Sequence, residues 1–293
     1  MAMGGAAWAL FAGVSFGVFQ AVNRRANQLI DPYRTTFALL LVAVAGLGIL
    51  SVATQDLSLI SSAPVFAFIA FGAAGVIHFF FGWTFLSLSQ QRIGAANTGV
   101  VTAATPLIGS LLAALVLDEA LGAVALVAIA LVSAGVILIA RRTSDGSGRR
   151  LAYPWFALAT SLSWGSSPLL IRWGLEGLSS PVIGVTIGLT AAAALYAVVL
   201  TSGRAPTTSG TPPEVRRWIL IGGILVAAAI AAQWTALDLV EVNVVVTLQQ
   251  VATPVVVLVV PFIVGTAIER WTWQLILGMV AVIAGSTLVI WAN

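Results

Sequence analysis

Ten apolar stretches, each about 20 residues long, follow one another along the 293-residue chain with only short polar breaks between them. They run approximately over 4–23, 33–53, 65–89, 93–117, 121–140, 153–173, 181–201, 216–238, 242–265 and 271–292. A helix needs roughly 20 residues to cross about 30 Å of hydrocarbon, so each stretch is long enough for one crossing. Strands of a membrane barrel would alternate polar and apolar residues over about 10 positions. Val124 to Ala140 shows no such alternation, being apolar on every side but for Ser133. The first stretch has no basic residue before it and a twin later in the chain, so it reads as a span and not as a signal peptide. The pattern predicts an all-α membrane protein with ten transmembrane helices.

Composition agrees. The chain is 60% hydrophobic and 8% charged, with a mean hydropathy of +1.06. A soluble domain carries about 25% charged residues, so lipid must cover most of this surface. There is no cysteine, which excludes disulfides, thiolate metal sites and a cysteine nucleophile. All 13 basic residues are Arg, against 10 acidic ones. That small excess calls for no nucleic-acid partner.

The spans repeat. Ser15-Phe16-Gly17 returns as Ser163-Trp164-Gly165, Arg24 as Arg172, and Thr105-Pro106 as Thr253-Pro254, each 148 positions on. Asp31-Pro32 answers Ser180-Pro181 one position out of step, and Glu119 and Glu269 each precede a glycine (Gly135, Gly285) by 16 residues. The chain therefore divides into a first five-helix repeat over 1–140, a basic linker over 141–152 and a second repeat over 153–293. Five is odd, so the second half must enter the membrane from the opposite side. Inverted halves of this kind build many secondary transporters around a central cavity; a duplication retained only for packing is the plainer reading.

Charge predicts the orientation. With ten spans, the odd-numbered loops share one side, and that side holds every arginine except Arg172. The positive-inside rule makes that side cytoplasmic and both termini periplasmic, in a multi-pass protein of the bacterial inner membrane. The linker from Arg141 to Arg150 then lies near anionic headgroups, as a tether that fixes topology.

Polar side chains at mid-membrane depth are costly and mark candidate sites. In the fourth span Thr98, Thr102 and Thr105 share a helical face; their counterparts in the ninth are Val246, Gln250 and Thr253, with Gln249 adjacent. A Thr can bond its own helix backbone, whereas Gln has more hydrogen-bonding capacity than its own helix can satisfy. Pro106 and Pro254 each free a carbonyl in the preceding turn, serving as a packing kink or as a hinge. Phe16 and Gln20 share a face of the first span with Asn23, and Trp164 matches Phe16 in the sixth. The two aromatics either face one another across a cavity or pack between helices. His78 is the only histidine and lies near the middle of the third span, with Gln233-Trp234 at comparable depth in the eighth. One His without acidic neighbours is no metal site. The acids all fall at or near span ends, and Glu119 and Glu269 stand where a negative charge complements the dipole of the helix each begins. No carboxylate pair lies at mid-depth, and no intramembrane enzyme chemistry is visible.

The five-plus-five repeat, the proline in the fourth span of each half, the acid before the last span of each half, and Ser-Phe-Gly with Ser-Trp-Gly together resemble the EamA-type drug/metabolite transporter superfamily. Within it the chain looks most like the bacterial amino-acid exporters, including the YddG-like aromatic type. The resemblance covers essentially the whole chain. It implies a ten-helix basket whose cavity is lined by the first, third and fourth spans of each half, with the fifth and tenth as scaffold. Position by position, it puts Ser15, Phe16, Gln20, His78, Thr98 and Thr102 of the first half in that cavity. From the second half it adds Ser163, Trp164, Gln233, Trp234 and Gln250. Many relatives place their termini in the cytoplasm, where the arginines of this chain predict the reverse.

The expectation is a transporter, not an enzyme. It would export small metabolites, amino acids with aromatic or apolar side chains first among them, by alternating access of its inverted repeats. The alternative is a transporter or flippase for a drug-like, nucleotide-sugar or lipid-linked cargo. The expected partners are a small-molecule substrate and the lipid bilayer; the oligomeric state is left open, a monomer being compatible with the reading, and no cofactor or metal is called for.

Overall fold

The computed structural model describes residues 2–27, 29, 31–93, 98, 101–142, 155–202, 213–264 and 272–292, and every regular element among them is helical. In chain order these are α1 (Ala2–Asn27), α2 (Pro32–Thr54), the short α3 (Ser58–Ser62), α4 (Val65–Gly75), a π-helical segment (Val76–Gly82) and α5 (Trp83–Ile93). The first half then closes with α6 (Thr105–Val116) and α7 (Ala123–Arg142). There follow α8 (Trp155–Gly177), α9 (Pro181–Thr201), α10 (Pro213–Leu239), α11 (Val242–Leu248), a 3-10 turn (Gln249–Val251), α12 (Ala252–Val264) and α13 (Trp273–Ala292). The basic linker and Glu269 lie outside the described residues, apart from Arg141 and Arg142, which end α7.

The chain is a multi-pass membrane protein. Among the described residues six helical stretches are long and apolar enough on their own to cross a bilayer: Met3–Asn23, Tyr33–Thr54, Val65–Gln90, Pro181–Thr201, Pro213–Leu239 and Val242–Ile263. Of the other predicted spans, three appear as shorter apolar helices, Thr105–Val116, Ala123–Ile139 and Ile276–Trp291. The fourth, α8, is 23 residues long. Its apolar character is diluted by Ser161, Ser163, Ser166 and Ser167 and by Arg172 and Glu176 near its end.

Local chemistry sets several helix starts. Asp31 caps α2, its carboxylate accepting the N–H groups of Tyr33 (3.0 Å) and Arg34 (3.3 Å), with Pro32 in the first turn. Ser180 caps α9 in the same way, accepting from Ile183 at 3.3 Å with Pro181 in the first turn. Proline fits there because its missing N–H is one the helix start leaves unused.

Helix α1 packs along α10 and α12; α8 packs along α4, the π segment and α6. Helix α2 lies against α9 and α10, and α9 also against α4. Helices α7 and α13 pair with each other. Within the α2–α9 pair, Gln55 accepts from Ser180 at 2.7 Å while Ser51 bonds Thr186 at 3.3 Å. As one chain advances the other retreats, so the two run antiparallel. The α7–α13 pair does the same: a Cβ on Gly135 would stand 2.6 Å from the Gly278 carbonyl, and one on Gly285 would stand 2.7 Å from that of Ala128. Bare glycines let backbones touch where apolar side chains alone give no driving force inside lipid. The same device seats Phe71 of α4, fully buried, against Gly174 of α8 and Gly184 of α9, with the Trp234 ring 5.5 Å away.

Candidate functional site

The Ser-aromatic-Gly repeat has a steric basis. A Cβ on Gly17 would lie 2.8 Å from the Ala252 carbonyl, and one on Gly165 would lie 3.0 Å from the Gly109 nitrogen. Each glycine lets its helix, α1 or α8, press onto the broken span of the opposite half. The residue before it is then carried to one side of that contact. The serines, Ser15 and Ser163, are both buried. The aromatics meet: Phe16 and Trp164 stand edge to face, with ring centroids 6.4 Å apart.

His78 joins them. Its ring stacks on Trp164 at 6.1 Å and 30°, and its Nδ1 shares a 2.7 Å hydrogen bond with the Ser167 hydroxyl. Phe79 packs on the imidazole at 4.7 Å. The histidine sits inside the π-helical turn Val76–Gly82, the kind of local widening that recurs at functional positions. Gly82, at the end of that turn, lies under the indole: a Cβ there would be 2.7 Å from Trp164 Nε1. That indole N–H is buried and has no hydrogen-bond partner among the described residues. Behind the cluster, Phe16 leans on Phe19 (5.5 Å) and Phe19 stacks on Trp83 (5.7 Å). The site is thus an aromatic wall with one imidazole, one hydroxyl and one unused donor.

The predicted fourth and ninth spans are both interrupted. Helix α6 begins at Thr105 after a turn at Ala103 and Ala104, which places Pro106 in its first turn, where a proline costs little. Hydroxyls of neighbouring helices reach carbonyls at the break: Ser133 donates to Ala103 at 2.9 Å, and Ser161 donates at 3.4 Å to Val101, whose carbonyl also accepts the Ala104 N–H at 3.1 Å. In the ninth span the 3-10 turn Gln249–Val251 separates α11 from α12, where Pro254 stands near the start. Irregular backbone at membrane depth persists only where protein or a watery cavity receives it. Gln249 lies on this turn and accepts from Gln233 Nε2 at 3.2 Å; Gln250 follows, half-buried.

The remaining candidates make other contacts. Thr98 bonds Ser89 at 2.8 Å, and Thr102 donates to the Thr98 carbonyl at 3.0 Å. Gln20 is half-buried on α1. Trp234 is 1% exposed and packs on Phe71. Sequence reading passed over Ser167, although it follows Ser163 by one helical turn; it also passed over Ser133 and Ser161, whose role depends on where the neighbouring helix breaks. Among the described residues no three His, Asp or Glu side chains come together in a way that could hold a metal ion.

Residues 3–141 match the sequence pattern of the EamA-like transporter family. This supports the resemblance to the drug/metabolite transporter superfamily, and with it a membrane transporter of small molecules. Solved structures of 29 chains match this fold. One crystal structure superposes over 97% of this chain and 95% of its own with a TM-score of 0.77, at 17% sequence identity. No curated protein matches the sequence.

Proposed function

We propose that this chain exports small net-neutral metabolites, amino acids with aromatic or apolar side chains foremost, by alternating access of two inverted five-helix halves spanning the membrane ten times. The observation that carries the reading is the meeting of Phe16 and Trp164, one from each half, beside His78 and Ser167. Flat apolar groups can stack on such a wall, while the imidazole, the hydroxyl and the indole N–H can orient a polar end. Charged side chains among the described residues stay near helix ends or in loops. A fixed net charge on the cargo would therefore find no counter-ion at mid-depth, whereas a zwitterion carries its own.

Inversion is supported by the packing. Exchanging each helix for its counterpart turns the α1–α10 contact into α8 against the third span, and α1–α12 into α8–α6. The two pairs that are their own counterparts, α2–α9 and α7–α13, are antiparallel. A twofold axis in the membrane plane requires that. The test is counterflow: purified protein in liposomes preloaded with tryptophan or phenylalanine, with a panel of unlabelled amino acids and other metabolites as competitors. Exchange of labelled aromatic amino acid, weakened by apolar amino acids and not by organic cations, is the expected result. No exchange with any amino acid, or exchange only with lipid or nucleotide-sugar cargo, would overturn the reading.

A further inference from the structure

Glu119 does not serve the helix it precedes. It follows α6 through Asp118, whose left-handed backbone (φ 54°) turns the chain sharply. Its carboxylate reaches the opposite half: Oε1 accepts the Val242 N–H at 2.8 Å and Oε2 the Asn243 N–H at 3.3 Å. Val242 and Asn243 are fully buried, and Glu119 itself is 9% exposed. Beside it, Arg172 of α8 donates to the carbonyls of Leu237 (2.7 Å) and Val240 (3.1 Å), at the end of α10. Glu241 accepts from the Asn243 amide at 2.7 Å. One knot of polar groups thus ties the α6–α7 connection, α8, α10 and α11 together at a single end of the molecule.

Directly beneath this knot the packing is polar and unsatisfied. Asn243 Oδ1 and Thr247 Oγ1, one turn apart on α11, are buried and have no hydrogen-bond partner among the described residues. Ser110 Oγ and Thr105 Oγ1 of α6, which packs on α11, are in the same state. Buried polar atoms are normally paired, and a run of orphans needs a reason. Water reaching these groups as α6 and α11 part would supply the missing partners.

We propose that the Glu119 junction is the latch of a gate at this end: it holds the α6–α7 connection of the first half on α11 of the second while this end is closed, and lets go when the α6–α11 seam opens to water. The proposal rests on the alternating-access reading above. Its pH dependence has a definite sign. Burial, the larger cause, and the Glu241 carboxylate raise the Glu119 pKa, against the opposing pull of the two N–H bonds and Arg172. Asp118 in the same turn, Asp238 near the end of α10 and the exposed Glu176 on α8, one turn past Arg172, are the other acids at this end; α13 carries no charge, and the arginines of α1 and α7 lie at their far ends. A group whose pKa is higher in the closed form than in water binds its proton more tightly there, so acid tightens the latch and a rise through that pKa loosens it.

The native chain has no cysteine, so a single introduced thiol reports cleanly. Thr247→Cys is labelled in proteoliposomes with a membrane-impermeant maleimide, and each rate is referred to Ser179→Cys, exposed at the same end, to cancel the thiol's own titration. Wild-type labelling should be slow in acid and rise toward neutral pH. Glu119→Gln is neutral and can accept only one of the two N–H bonds, so its labelling should lose the pH profile. Glu119→Ala should label about tenfold faster or more at every pH, as expected for losing two hydrogen bonds to a charged group. Ser110→Cys provides a second probe should Thr247→Cys fold poorly. An E119Q profile that still follows pH like the wild type, or E119A labelling no faster than wild type, would sink the latch. Labelling reads the junction whether or not any solute moves, so a protein inert in counterflow counts against the transport reading and not against this one.

Discussion

Trp164 shows how much one side chain can gather. Its ring faces Phe16, stacks on His78 and rests over Gly82, which can only be bare there. Aromatic pairs contribute about 0.5–1.5 kcal/mol beyond their buried area. Trp164→Ala should therefore depress counterflow of aromatic amino acids about three- to tenfold while small ones change less; equal losses for both would point to packing alone. His78 and Ser167 make a second test. Ser167→Ala leaves a buried ring nitrogen without its partner, at a cost of about 1–3 kcal/mol, so transport should fall more than for Ser166→Ala, whose hydroxyl makes only a 3.5 Å bond to its own helix. Equal transport by the two variants would remove the His78–Ser167 pair from the site.

At the scale of elements, the two interrupted spans carry the next expectation. Pro106 sits in the first turn of α6, not inside a continuous helix, so Pro106→Ala should shift stability by less than about 1 kcal/mol, far below the cost of about 3 kcal/mol for a proline within a helix. The break depends instead on Ser133 and Ser161, which cover the carbonyls of Ala103 and Val101. Ser133→Ala should lower the unfolding temperature in detergent, by the equivalent of about 1–3 kcal/mol for an orphaned buried carbonyl. If P106A proves the more damaging of the two, the turn is held by the proline ring and not by the neighbouring helices.

For the whole molecule, the α7–α13 contact is the clearest point of attack. Gly135 and Gly278 face each other backbone to backbone, and any Cβ there meets a carbonyl within 3 Å. Gly135→Leu should destabilise the protein by about 1–3 kcal/mol through overpacking, whereas Gly46→Leu, on a helix face with nothing within 4 Å, should not. Thermal unfolding of both in the same detergent decides it. Sidedness has its own test: Ser147→Cys in the basic linker should react with an impermeant maleimide only after the cytoplasm of intact cells is opened, and labelling of unbroken cells would reverse the predicted orientation.

Periodicity and composition suffice for whatever depends on a residue and its near neighbours in the chain. Helical class and membrane residence follow from apolar runs long enough to cross hydrocarbon, and the Asp31-Pro32 and Ser180-Pro181 starts follow from capping chemistry that acts over three residues. Matching letters at a fixed offset of 148 positions were also legible. The partners of those letters were not. Glu119 reads in sequence as the complement of its own helix, yet its carboxylate is spent on a helix more than a hundred residues away. Ser167 gains its meaning only from His78, and Trp234 from the Phe71 ring on which it packs. Which face of a span meets which neighbour is set by where bare glycines let two backbones touch. That choice belongs to the packed assembly, since a helix apolar on every side carries no mark of the direction in which its partner lies.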